Sequence, residues 1–246
     1  MTMSKDLARA FDPVLMARDA GIDPDDWQAK LLREEPRRAL MLCSRQSGKT
    51  TTAGLLGLHR ALYSSFSLVL IVSPSQRQSA EIFRTVMGFY RKLVGAPELA
   101  AESVLRAEFK NGSRILALPG SEKTIRGYSG ANLIILDEAS RIGDELIGGL
   151  TPMLATSNGS FLALTTPAGK RGWFYEQWVS AEDWHRVRVN AAQCPRISKE
   201  FLDEEMRRLG PTVFQQEYDL EFIANADSMW SADAVVFEDF PTLFGR

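Results

Sequence analysis

The sequence predicts an α/β fold: a mostly parallel sheet covered by helices, followed by a small helical unit. Three observations predict it. Short apolar runs alternate with segments of helical period along most of the chain. The runs LVLIV (68–72), LIIL (133–136) and SFLAL (160–164) are near-continuous, as strands buried on both faces are. Polar clusters at 43–50, 137–138 and 165–166 each follow such a run. They fall beyond the carboxyl ends of the strands, where open α/β sheets gather their active groups.

The elements follow in order. The first 36 residues read as two helical pieces. Asp12-Pro13 opens one and Gly21 closes it; Asp23-Pro24 opens the next, with Asp25 and Asp26 in its positive first turn and Pro36 at its end. RALMLC (38–43) is a buried strand, TTAGLLGLHRALY (51–63) a helix and SLVLIVSP (67–74) a second strand. Residues 75–95 form a helix that opens at Ser75 and stops at Gly95. The stretch 103–120 alternates about Asn111-Gly112, a hairpin signal. Three more strands are expected within 131–140, 160–167 and 184–191. Beyond Pro195 come two helices, 197–210 and 211–222, the second with Thr212 and Gln215 at capping-box spacing. The tail has no clear period.

Composition narrows the function. The 246 residues suit one sizeable domain with an appendage. A formal net charge of −2 excludes a polycation, so any nucleic-acid contact rests on a local patch or a partner. Cys43 and Cys194 form no C-x-x-C pair and no His/Cys cluster, which argues against a zinc site or a disulfide framework. No apolar run approaches the roughly 20 residues that span a bilayer, and the N-terminus lacks a signal-peptide core. The expectation is a cytoplasmic protein with no membrane contact.

The chemistry starts at MLCSRQSGKTTTAG (41–54). Gly48-Lys49-Thr50 reads as the end of a phosphate-binding loop, but the first glycine of G-x-x-x-x-G-K-[ST] is Cys43. Such a loop works through backbone N–H groups, a helix N-terminus, a lysine on the β and γ phosphates and a hydroxyl on Mg²⁺. Gly48, Lys49 and Thr50 fill these roles. Cys43 is small enough to follow the same path at some conformational cost. The competing reading is a Gly-Lys-Thr that merely begins a helix. LIILDE weighs against it by supplying the other half of a site: Asp137 to hold Mg²⁺, and Glu138 to orient and deprotonate the attacking water.

CSRQSGKTT resembles the variant Walker A motif of large terminase subunits, the DNA-packaging motors of tailed bacteriophages. LIILDEA is similar to that family's Walker B, LTTP (164–167) to its coupling motif and DDWQ (25–28) to its adenine-reading Q-motif. IRGYSGA and FQQEYDLEF resemble family segments as well. The resemblance covers about residues 20–225 in family order. It implies a RecA-like P-loop ATPase core at 1–195 with N-terminal helices, and a helical lid and connector at 196–246. It implies ATP bound by Gln28, Arg45, Gln46, Ser47, Gly48, Lys49, Thr50 and Thr51, and Mg²⁺ on Thr50 and Asp137. Glu138 is the implied catalytic base, Arg45 a sensor of the γ-phosphate within its own subunit, and Thr165 and Thr166 the coupling pair. A trans-acting arginine is implied in TIRGYSGAN; Arg126 fits, with Arg141 a competitor. The implied partners are double-stranded DNA, a portal ring, a small terminase subunit and further copies in a ring, inside a bacterial host.

Several residues carry bland alternatives. Gln28 reads equally as a surface glutamine, Trp27 as core, and Thr165 and Thr166 as strand-end hydroxyls satisfying their own backbone. Lys170-Arg171 is the basic pair to watch for DNA backbone contact. His59 and His185 receive no role. Large terminases carry a second, nuclease domain with clustered acids. This chain stops at Arg246, and Asp227, Asp233, Glu238 and Asp239 lack the spacing such a domain needs, so no nuclease activity is expected of it. The alternatives are half of a superfamily 2 helicase, and an inactive nucleotide-binding scaffold.

Overall fold

The computed structural model describes residues 2–120 and 127–223. Arg126 and the acids of the tail lie outside them. The order is α1 (Thr2–Phe11), α2 (Pro13–Asp19), α3 (Asp26–Glu34), β1 (Arg38–Cys43), α4 (Lys49–Tyr63), β2 (Leu68–Ser73), α5 (Gln76–Lys92), β3 (Leu99–Glu102), β4 (Arg106–Phe109), β5 (Arg114–Pro119), β6 (Leu133–Asp137), α6 (Asp144–Leu150), β7 (Ser160–Thr165), α7 (Gly172–Val179), β8 (His185–Val189) and α8 (Lys199–Glu217). Within these residues, no helix is long and apolar enough to cross a membrane.

The eight strands form one sheet in the order β3-β4-β5-β2-β6-β7-β1-β8. From β5 to β8 all neighbours are parallel; β3, β4 and β5 pair antiparallel. The expected α/β fold with a mostly parallel sheet is observed. Side-chain alternation divides the core. Met41, Ile71, Ile135 and Leu164 pack with α4 and α5 on one face, and Leu40, Val72, Leu136 and Ala163 with α6 and α7 on the other. β1 is inserted between β7 and β8, so the strand leading into the loop is paired on both sides and buried. The Asn111-Gly112 hairpin is present. Gly112 has φ 82°, and a Cβ there would lie 2.5 Å from the Phe66 ring.

Three features depart from the sequence reading. The N-terminal region is three helices, and α3 is capped by Asp25 rather than opened at Asp23-Pro24, with Gln28 completing a capping box. α6 (DELIGGL) and α7 (GWFYEQWV) were not expected: paired glycines in one and aromatics all round the other hide the helical period. β3 (LAAE) has no strand signal of its own and is ordered by pairing with β4. The two helices expected beyond Pro195 are present as the two parts of α8: Ser198 caps the first, and they meet at Gly210-Pro211, where Gly210 takes non-helical backbone with φ 76°.

Candidate active site

The anion half of the site is built by β1, the loop and α4. Cys43 ends β1 wholly buried and in ordinary extended conformation, so no conformational cost falls on it. The positive-φ positions come later, at Gln46 (φ 58°) and Gly48 (φ 89°). That is why a cysteine is tolerated where the pattern asks for glycine. Burial pushes its thiol up to about 12, leaving it inert. Gly48 is a different case: a Cβ there would lie 2.6 Å from Gln28 Nε2. Ser47 Oγ donates to the Ser44 carbonyl at 2.9 Å, and Ser44 N–H donates to Val189 at the end of β8. Gly48 is the N-cap of α4, and no side chain caps the helix. Its first amides and positive dipole end therefore face the loop, the arrangement that binds phosphate. Lys49, Thr50 and Thr51 form the first turn, Lys49 buried and the two threonines partly exposed.

Gln28 is not a surface glutamine. It is 3% exposed, and both ends of its amide are engaged. Nε2 donates to Thr52 Oγ1 at 2.9 Å and to the Gly48 carbonyl at 3.3 Å, while Oε1 accepts from Asp25 N–H. In this structure the amide fastens α3 to the loop, so an adenine contact would first have to break these bonds. Arg196, which sequence reasoning did not single out, adds a second fastening. Its guanidinium forks onto Asp25 at 2.6 and 2.7 Å and donates to the Ser47 carbonyl at 3.2 Å. Arg45 points away from the loop. Its Nε lies 2.6 Å from Glu217 Oε2 on α8, and this partner raises its pKa. Glu217 sits in FQQEYDLEF, a segment noted for its resemblance but not for this ion pair.

The acidic half lies two strands away, beyond β7. Asp137 ends β6, 6% exposed, and its Oδ1 has no hydrogen-bond partner among the described residues. Burial and the neighbouring Glu138 push its carboxyl up to about 6, with Lys49 opposing the shift. Glu138 takes left-handed backbone (φ 51°), and its carboxylate stands between Lys49 Nζ and Arg141 Nε, each 3.9 Å away. Thr165 is level with Leu42 across β7 and β1. Its hydroxyl accepts from Ser140 N–H at 3.3 Å and donates to the Thr166 carbonyl at 2.8 Å. It thus satisfies its own backbone and also ties β7 to the turn that carries Glu138.

The structure brings the loop, both acids and both threonines to the carboxyl ends of adjacent strands β6, β7 and β1. Lys170 and Arg171 are exposed at the start of α7. A cavity of about 740 Å³ opens at the opposite edge, between Arg37, Arg38, Phe161, Trp173, Trp184 and His185. It is remote from the loop and belongs to no motif.

Comparison with known proteins agrees with this geometry. The model of the terminase large subunit family, T4likevirus type, N-terminal, matches residues 40–237. The large terminase subunit of Thermus virus P23-45 is 24% identical, over 86% of this chain and 51% of that protein. The chain therefore spans about half the length of the curated relatives it matches. The large terminase ATPase domain of Thermus phage P74-26 superposes with a TM-score of 0.73 at 22% identity, covering 84% of this chain and 97% of that one. The large terminase of bacteriophage D6E in complex with ATP-γ-S superposes at 0.62 and 11% identity, covering 89% and 55%. With its sheet, loop and acids in this order, the chain belongs to the terminase large subunit family and corresponds to its N-terminal part.

Proposed function

We infer that this chain hydrolyses ATP and couples hydrolysis to the translocation of double-stranded DNA into a viral procapsid. The observation that carries the inference is the convergence of an uncapped helix N-terminus, Lys49 and the Asp137–Glu138 pair on one edge of adjacent strands. The loop amides and Lys49 hold the phosphates, with Gln46, Ser47, Thr50 and Thr51 around them. Glu138 accepts a proton from the attacking water as the water oxygen bonds to the γ-phosphorus and ADP leaves. Asp137 and Thr50 fit a magnesium ion, because Asp137 keeps a buried carboxylate oxygen with no hydrogen-bond partner among the described residues. When bound, Mg²⁺ offsets charge on the phosphates.

Arg45 exchanges Glu217 for the γ-phosphate and so reports the nucleotide to α8. Thr165 and Thr166 relay hydrolysis toward α7 and the lid, through the bond from Thr165 to the Glu138 turn. Arg126 of a neighbouring subunit, or Arg141, completes the charge neutralisation. The division into a core up to residue 195 and a lid and connector after it is part of the same proposal, as are a portal ring, a small terminase subunit and a ring of copies on the procapsid. Lys170 and Arg171, exposed ahead of α7, meet the DNA backbone in this reading, a contact that weakens with salt. The test is titration of a fluorescent ATP analogue with Mg²⁺ into the wild type and Lys49→Ala. The variant is expected to bind at least tenfold more weakly; equal affinities remove the loop from the assignment.

A further inference from the structure

At the ends of β2 and β6 and in the turn after β6, four buried side-chain oxygens have no hydrogen-bond partner among the described residues: Ser73 Oγ, Asp137 Oδ1, Glu138 Oε2 and Ser140 Oγ. Three belong to the Asp137–Glu138 motif and its turn. Ser73 belongs to no motif. It is the last residue of β2 and wholly buried. β2 and β6 are parallel neighbours with Val72 opposite Leu136, so Ser73 stands one residue beyond, level with Asp137. Alternation gives its face. Val72 and Leu136 pack into the core that faces α6 and α7, whereas Ile71 and Ile135 pack into the core that contains α4. Ser73 and Asp137 therefore both turn toward the side of the sheet where α4 begins with Lys49 and Thr50.

Buried polar groups in folded proteins are nearly always paired, so two unpaired ones side by side call for a group that would satisfy both. A cation-bound water has two hydrogens to offer, one for each oxygen. Mg²⁺ suits this arrangement because it usually keeps several of its waters and takes few direct protein ligands. We propose that Ser73 is a positioning residue of the cation site, holding, together with Asp137, a water of the divalent ion's shell. The proposal rests on the ATP and Mg²⁺ reading above and adds a residue to it. The serine hydroxyl accepts one hydrogen of that water and Asp137 the other, which fixes the ion's water shell against β2 and β6. Partners outside the first coordination shell commonly change metal affinity by 10–100-fold.

The test is Ser73→Ala in the whole chain. Mg²⁺ is titrated at a fixed concentration of a fluorescent ATP analogue, and analogue binding is measured separately in EDTA. The half-saturating Mg²⁺ concentration is expected to rise about tenfold while affinity in EDTA stays unchanged. The nucleotide-free melting temperature is expected to hold or rise, because the substitution removes a buried hydroxyl that has no partner. A purely structural serine gives the opposite pattern, a lower melting temperature with unchanged Mg²⁺ dependence. If the wild type shows Mg²⁺-dependent binding and Ser73→Ala shows the same half-saturation, the proposal is overturned and the ATP site stands. If the wild type shows no Mg²⁺-dependent binding, the ATP reading falls and Ser73 falls with it.

Discussion

Around the loop, two buried polar side chains are partnered within the chain: Ser47 on Ser44, and Gln28 on Gly48, Thr52 and Asp25. Across the site, at the ends of β2 and β6 and in the turn after β6, buried oxygens of Ser73, Asp137, Glu138 and Ser140 have no hydrogen-bond partner among the described residues. The contrast teaches how such a site divides its work. Backbone amides are fixed donors, so the anion half can be assembled by the protein alone. Carboxylates repel one another and lose hydration when buried, so the pair Asp137 and Glu138 is costly to keep ionised without added positive charge, which is what the proposed cation would supply.

The contrast is tested first, and with the largest expected effect, at Glu138. Glu138→Gln keeps the side chain's shape and hydrogen bonding to water but accepts no proton. Nucleotide binding is expected to persist while turnover falls 10²–10⁴-fold, read by phosphate release beside analogue titration. Near-normal turnover would place the proton acceptor elsewhere.

Asp137 sharpens the comparison through pH. Its carboxyl lies at about 6, above the ordinary value of 3.8. The folded state thus favours the protonated form, so the group's contribution to stability is full below pH 3.8 and is lost as pH rises through about 6. Asp137→Asn is expected to stabilise the nucleotide-free protein at pH 8 by on the order of 1–3 kcal/mol, and by less at pH 5. Mg²⁺-dependent binding should weaken at the same time. Melting curves at both pH values read the first effect; a destabilised variant at pH 8 would show that the carboxylate is not strained.

Gly48 probes the finished half. Gly48→Ala adds a Cβ at positive φ and against Gln28, and a loss of about 1–3 kcal/mol is expected. Combining it with Gln28→Ala should recover the part due to the clash, giving non-additivity in denaturant melts. Strict additivity would mean that the amide does not press on the loop.

Much of the sheet was legible in the sequence, because strands buried on both faces are written as apolar runs and LVLIV, LIIL and RALMLC admit few other uses. The loop and the acids were legible because their chemistry is local: Gly48, Lys49 and Thr50 are contiguous, as are Asp137 and Glu138. What stayed hidden depends on pairing across long separations. Arg196 meets Asp25, and Arg45 meets Glu217, across most of the chain's length, and neither pair has a local spacing that would announce it. Gln28 illustrates the same limit. Its place in a polar first turn suggested either a surface position or a base contact, whereas the fold turns it inward to brace Gly48. Ser73 was silent because a serine at a strand end is ordinary until its neighbour in the sheet is known.

The position of β1 between β7 and β8 has a consequence in time. The strand is made early, ending at Cys43, but its neighbours end at Thr165 and Val189. At synthesis rates of about 5–20 residues per second, Ala39 to Cys43 wait on the order of 10 s for both edges to be covered. During that interval an apolar strand lies open to any other unpaired strand, including its counterpart on a neighbouring nascent chain. Arg38, exposed at the head of this strand, places one charge beside it while it waits.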